Sequence, residues 1–159
     1  MDEEIKILCV DDEQNVLNSL KRLFFDSDYT IFSATSGQEG LKVLEQENVQ
    51  VVISDYRMPN MNGVEFLKEV CKHWSQTVRI VLSGYADTTS VVEAINEGQI
   101  YKFVPKPWND DELKVTIANA VERYFLVKKN TELNNELREK NEELTRLNKQ
   151  LMKSLEEKQ

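Results

Sequence analysis

Five short apolar runs, each followed by a stretch of helical periodicity, constrain this chain more than any other feature. The runs are residues 5–10, 29–34, 51–54, 78–82 and 101–104. Short runs of this kind, bounded by turn formers and rich in β-branched residues at 51–54, read as strands. Between them lie helical patterns. One starts near Gln14, with Val16, Leu17, Leu20, Leu23 and Phe24 on one side. A second follows Thr35, Ser36 and Gly37 and buries Leu41 and Leu44; Ser36 with Glu39 three residues on has the form of a capping box. A third is capped by Asn62 and carries Val64, Phe66, Leu67 and Val70. A fourth runs from about Asp87, carries Val91, Val92 and Ile95, and stops near Gly98, a C-terminal signal. Alternation of strand and helix predicts βαβ units, a parallel sheet and right-handed crossovers. Continuously apolar strands imply helices on both faces of that sheet.

The last element differs. From Asn109, a capping residue, a helical pattern runs almost to residue 159 without Gly or Pro. Leu113, Ile117, Ala120, Val121 and Tyr124 form a face suited to packing on the sheet. Beyond Tyr124 the apolar face thins to single leucines. Leu126, Leu133 and Leu147 alternate with Leu137, Leu144 and Leu151 at four-then-three spacing, with Asn130 and Lys140 at the remaining seam positions. That is a heptad seam. A lone helix this polar is marginal in water, so the seam predicts a partner helix, with a solvated linker as the competing reading. Residues 1–125 therefore read as a domain and 126–159 as a coiled-coil extension, or a linker to an effector domain.

Charged residues make up 30% of the chain and the net charge is −8. With no basic patch or stripe, a nucleic-acid surface is not expected. No apolar run is long enough to span a membrane, and the first residues have no signal-peptide pattern, so a cytoplasmic protein is expected. Cys9 and Cys71 are too few for a metal motif, and Cys9 lies inside an apolar run, which predicts a buried, inert thiol. His73, the only histidine, falls in a helix tail and reads as a surface residue. Trp108 is expected to pack at the start of the last helix.

The chemistry gathers at strand ends. Asp11 and Asp12 follow the first strand, Asp55 ends the third, Ser83 follows the fourth and Lys106 the fifth. In a parallel sheet these ends share one edge, where open α/β sheets hold their ligands. Each acid alone would be an ordinary cap or solvated turn, and the lysine an ordinary surface lysine. Together they bring three carboxylates, a hydroxyl and an ammonium to one place. Clustered carboxylates repel unless a cation joins them. So few protein oxygens suit Mg²⁺, which usually keeps several waters, better than a dedicated Ca²⁺ cage. One carboxylate could then act as a nucleophile toward phosphorus, giving an aspartyl phosphate. Such a transfer needs positioning and charge neutralisation more than added covalent chemistry.

The combination resembles the response-regulator receiver domain of two-component signalling, over about residues 4–125. The matching residues are Cys9, Val10, Asp11, Asp12 and Glu13; then Ile53, Ser54 and Asp55 with Met58, Pro59 and Gly63; then Leu82, Ser83 and Gly84; then Lys106 and Pro107. The resemblance implies an α/β fold with a five-stranded parallel sheet of flavodoxin-like order 2-1-3-4-5, helices on both faces and the last helix extended into the coiled coil. It implies that Asp55 accepts phosphate from a sensor histidine kinase. Asp11 or Asp12, with Asp55 and the Arg57 backbone carbonyl, would hold Mg²⁺ or Mn²⁺. Lys106 would pair with the phosphoryl group and precede a cis proline. Ser83 would be the hydroxyl that moves on activation. Phe103 falls at the family's aromatic switch position but carries no hydroxyl. Arg57 and Tyr85 stand where the family tunes the lifetime of the phosphate.

This reading makes the protein a signalling switch and not an enzyme in its own right, beyond slow self-dephosphorylation. Its expected partners are a histidine kinase, a second copy of itself through the last helix, and a downstream effector domain, or else the helix itself is the output. The alternative is a phosphorylation-independent dimeric scaffold built on the same fold, for which the complete set of acidic pair, acceptor, hydroxyl and lysine would be superfluous. A small-molecule phosphatase with an Asp nucleophile would call for a cap domain, which the pattern does not contain.

Overall fold

A computed structural model describes residues 3–84 and 88–158. The elements alternate as expected: β1 (Lys6–Val10), α1 (Gln14–Leu23), β2 (Thr30–Ala34), α2 (Gly37–Gln46), β3 (Val51–Asp55), α3 (Gly63–His73), β4 (Val78–Ser83), α4 (Thr88–Asn96), β5 (Lys102–Pro105) and α5 (Asp110–Glu157). All neighbouring strands are parallel, in the order β2-β1-β3-β4-β5. The strand bounds differ from the sequence reading by about one residue, the usual uncertainty at element ends. Tyr85 and the expected start of the fourth helix at Asp87 lie outside the described residues.

Period-two alternation sorts each strand between two faces. Leu8, Val10, Val52 and Val81 join one cluster with Leu44 of α2, Phe66, Leu67 and Val70 of α3, and Val91 and Ala94 of α4. Ile7, Cys9, Ile53, Ile80 and Leu82 point the other way and are equally buried, as are the apolar faces of α1 (Leu17, Leu20) and α5 (Leu113, Ile117, Ala120). The central strand β3 is buried at every residue. Burial pushes the Cys9 thiol up to about 12, which keeps it protonated and inert.

Three local expectations are revised. Ser36 does cap α2, accepting from the Glu39 N–H, but Glu39 turns back to the N–H and hydroxyl of Thr35 and not to the cap residue. The reciprocal box forms instead at α3, where the Asn62 carboxamide accepts from Glu65 N–H and the Glu65 carboxylate from Asn62 N–H. In α4 the buried residues are Val91 and Ala94, three apart on one face, whereas Val92 is exposed. Leu41 of α2 is only partly covered. Gly98, at φ +76°, ends the turn after α4 in a conformation a side chain would strain.

The described chain divides into two compact units, Met1–Tyr124 and Phe125–Gln159. The helix α5 is assigned without a break from Asp110 to Glu157, and Asn109 caps it by accepting from Glu112 N–H. No helix among the described residues is long and apolar enough to cross a membrane.

Candidate functional site

The carboxyl edge of the sheet gathers the acids and the lysine. Asp11 follows β1 and is fully buried; its backbone N–H donates to Ala34 at the end of β2, and its Oδ1 accepts from Glu13 N–H at 2.8 Å. That second bond turns the chain into α1 without a side-chain cap of its own. Asp55 is the last residue of β3, and Ser83 the last of β4. Lys106 follows β5; its N–H donates to the Ser83 carbonyl, and its peptide bond to Pro107 is cis.

Lys106 spans the acids. Its Nζ lies 3.0 Å from Asp11 Oδ2 and 2.9 Å from Asp55 Oδ1. Asp11, Asp12 and Asp55 each offer a carboxylate oxygen within 4.8 Å of the others. Two of the three carboxylates, Asp11 and Asp55, thus share one ammonium, and Asp12 lies beside them. Burial raises the Asp55 pKa above the ordinary value; the Lys106 hydrogen bond opposes the rise, and the neighbouring Asp11 and Asp12 charges add to it. For Lys106, burial alone would lower the pKa, but the bonds and charges of Asp55 and Asp11 outweigh it and raise the value.

The donor set fits a hard divalent cation. Oxygens bound at about 2.0–2.1 Å around Mg²⁺ lie roughly 3–4 Å from one another, so the three carboxylates need only small movements to close on one ion. Asp12, exposed at the rim, is free to make that movement without disturbing the core.

The other expected residues are placed as follows. The Ser83 hydroxyl is buried and donates to the Gly84 carbonyl at 3.0 Å. Arg57 is exposed in the loop two residues after Asp55. Phe103, half-buried in β5, lines a groove with Trp108, Val115 and Thr116. The Trp108 indole N–H donates to Asp110 at the start of α5. His73 is exposed, 3.5 Å from Glu69. All six seam leucines are 48–62% exposed in the single chain.

One residue acquires a reason that its sequence does not display. A Cβ at Gly63 would lie 2.1 Å from the Asp55 carbonyl oxygen, and the Gly63 N–H donates to Tyr56 at 2.7 Å. Gly63 thereby folds the post-β3 loop back over the backbone of Asp55. The box closed by Glu65 locks the same turn; the spacing from Asn62 to Glu65 was the available signal.

A doubly wound α/β domain with a carboxylate cluster and a bridging lysine at its carboxyl edge defines the class of protein. The chain belongs to the response regulator receiver domain family, whose model matches residues 7–118. It is 40% identical over 121 residues to the hydrogenase transcriptional regulatory protein HoxA of Cupriavidus necator, covering 76% of this chain and 25% of that protein. It is 30% identical over 126 residues to sporulation initiation phosphotransferase F of Bacillus subtilis, covering 79% of this chain and 97% of that one. Among solved structures, one described as an adenylate cyclase from Rhodopirellula baltica superposes with a TM-score of 0.78 at 34% identity, covering 82% of this chain and 97% of that chain. This chain spans about a quarter of the length of the HoxA relative. It carries the receiver domain of two-component response regulators.

Proposed function

We propose that Asp55 is the phosphoacceptor of a switch driven by a sensor histidine kinase. The observation that carries this reading is Lys106 held between Asp11 and Asp55, with Asp12 alongside. An Asp55 oxygen attacks phosphorus, the bond from phosphorus to the donor histidine nitrogen breaks, and the imidazole leaves and takes up a proton from solvent. Asp11, Asp12 and Asp55, with the Arg57 carbonyl, would hold Mg²⁺ (or Mn²⁺), which supplies positive charge against the phosphoryl oxygens. Lys106 contributes a second positive charge. It exchanges its bond to the Asp55 carboxylate for one to the phosphoryl group while keeping Asp11.

Phosphorylation adds about −1.5 to −2 charge and three acceptor oxygens at this edge. The Ser83 hydroxyl, now on the Gly84 carbonyl, turns to a phosphoryl oxygen, and Phe103 follows into the space it leaves. Arg57 and Tyr85 limit the access of water and so set how long the phosphate survives. No other catalytic activity is assigned; self-dephosphorylation is the only turnover.

The output passes through α5, whose uninterrupted helix supports a relay from the domain to the seam. Residues 1–125 form the receiver and 126–159 the coiled-coil extension, through which the chain pairs with a second copy. A downstream effector domain is a further partner. The relatives' names point to different outputs, a transcriptional regulator and an adenylate cyclase among them, so none is assigned. Family membership supports a cytoplasmic location.

Intact-mass spectrometry after incubation with acetyl phosphate and Mg²⁺ tests the central step. One phosphoryl group should add to the wild-type chain and none to Asp55→Asn. Absence of any Mg²⁺-dependent adduct would instead support the phosphorylation-independent scaffold.

A further inference from the structure

We infer that the helix beyond Tyr124 pairs with a second copy of this chain in parallel and in register. The inference rests on the reading that this helix self-associates, and deepens it by fixing the direction of the partner. The four-then-three spacing assigns each residue a heptad position. Leu126, Leu133, Lys140 and Leu147 fall at d, and Asn130, Leu137, Leu144 and Leu151 at a. The leucines of this stripe are exposed in the single chain, and between Lys128 and Gln150 the residues around them are polar. The direction of pairing is then decided by what flanks the stripe.

The two flanks are unlike. The e edge, beside the a residues, carries Asn134, Asn141 and Asn148 in its three central heptads, between Val127 and Leu155 at its ends. The g edge, beside the d residues, carries Lys129, Glu136, Glu143 and Gln150. In a parallel pair each g residue meets the e residue of the next heptad on the second helix. Glu136 then faces Asn141 and Glu143 faces Asn148, so that each carboxylate accepts from a carboxamide and no like charges meet along the flanks. In an antiparallel pair g faces g. Aligning Leu126 with Leu151 and Leu133 with Leu144 sets Glu136 against Glu143 twice; shifting by a heptad either way sets Glu136 or Glu143 against its own copy. Like charges at such positions are repulsive.

The core layers agree at one position and conflict at another. In parallel, Asn130 meets Asn130, and each carboxamide can donate to and accept from the other; a single Asn at a is a known determinant of register and oligomer state. In the leucine-aligned antiparallel pair it faces Leu147, leaving a buried amide unpaired. Lys140 opposes the parallel arrangement, because it meets its own copy at d. Glu136 lies four residues before it and Glu143 three after, both on the g edge beside d. The ammonium can therefore turn outward to its own glutamates while the stem covers the seam. Lys140 is the weakest layer of the pair, not a bar to it.

Disulfide trapping in the full chain tests the direction. Cys71→Ser removes the partly exposed thiol, and Cys9 stays buried. Leu133→Cys and Leu151→Cys are then made singly. In a parallel, in-register pair each variant links to itself on mild oxidation with oxidised glutathione. In an antiparallel pair a layers against d, so neither residue can meet its own copy. A dimeric mass by sedimentation equilibrium, without self-linking of either variant, overturns the parallel inference. Linking of a mixture of Leu126→Cys with Leu151→Cys would then identify the antiparallel form. A trimeric mass also overturns it. A monomeric mass at all concentrations overturns the self-association reading itself, and the two failures are thus distinguishable.

Discussion

Gly63 stands so close to the main chain of Asp55 that a Cβ would approach its carbonyl oxygen to 2.1 Å, less than any non-bonded contact allows. The nearest obstacle is backbone, which cannot rotate aside. Gly63→Ala therefore forces the loop after β3 away from the strand. Overpacking of this kind typically costs about 1–3 kcal/mol, and urea unfolding should show a loss of at least that size. Acetyl phosphate labelling of Asp55 should slow in the same variant, because the displaced loop carries the Arg57 carbonyl. Unchanged stability and labelling would refute the role given to Gly63.

The acidic cluster predicts a pH-dependent gain from removing the charge of Asp55. The Asp55 pKa is raised in the folded state, by burial first and by Asp11 and Asp12 beside it. The unfolded chain therefore releases this proton more readily, and the ionised carboxylate costs the folded state stability above the folded pKa. Asp55→Asn should melt at a higher temperature than wild type at neutral pH without divalent cation. The difference should shrink as pH falls through the raised pKa toward the ordinary carboxylate value. Millimolar Mg²⁺ should reverse the ranking by stabilising only the wild type. Thermal melts across pH, with and without Mg²⁺, measure all three.

Lys106 carries the opposite sign. Its removal leaves buried Asp11 and Asp55 facing each other with no ammonium between them. Lys106 is about a quarter exposed, so part of the loss is screened, and Lys106→Ala should cost about 1–3 kcal/mol at neutral pH. Because its folded pKa is raised, the stabilisation it gives is complete below the unfolded lysine pKa and is lost as pH rises through the folded value. Wild type and variant should therefore converge in stability only in strongly alkaline solution.

Stability is also held at the far edge of the sheet. The Arg79 guanidinium donates to the carbonyls of Ser75, Thr77, Gly98 and Gln99, tying the turn after α4 to the start of β4. Arg79→Leu strands these acceptors and should cost about 2–3 kcal/mol in chemical denaturation. Arg79→Lys should not restore it, since an ammonium lacks the planar fork that reaches four carbonyls. Asp55 labelling should survive both changes, the proposed phosphoacceptor lying at the opposite end of the strands.

Phosphorylation should be legible in the helical seam. Beryllofluoride with Mg²⁺, a mimic of the phosphoryl group, should change either the sedimentation-derived mass or the shape of the full chain, and Asp55→Asn should abolish the response. Identical hydrodynamics with and without the mimic would sink the proposed relay through α5.

What the sequence determined by itself was everything encoded within a few residues of itself. Alternating apolar runs and helical periods gave five strands, five helices and the common edge at which Asp11, Asp55, Ser83 and Lys106 lie, because periodicity is a local property of backbone geometry. The heptad stripe was legible for the same reason. The strand order 2-1-3-4-5 came through the receiver motifs and not from any single run, and the sheet confirms it. The tertiary structure alone decided how distant residues meet. Lys106 bridges to Asp11 across 95 residues of chain, a contact that exists only because the sheet sets the carboxyl ends of the parallel strands β1, β3, β4 and β5 in a row along one edge. Val91 and Ala94, not Val92, face the core for a similar reason: the docking angle of α4 selects which part of an apolar stripe is covered. Gly63 must lack a side chain only once the loop after β3 folds back over Asp55, and Arg79 reaches Gly98 and Gln99 only once the turn after α4 is set beside the start of β4. Such requirements are set by packing density and hydrogen-bond completion in three dimensions, which no local period records.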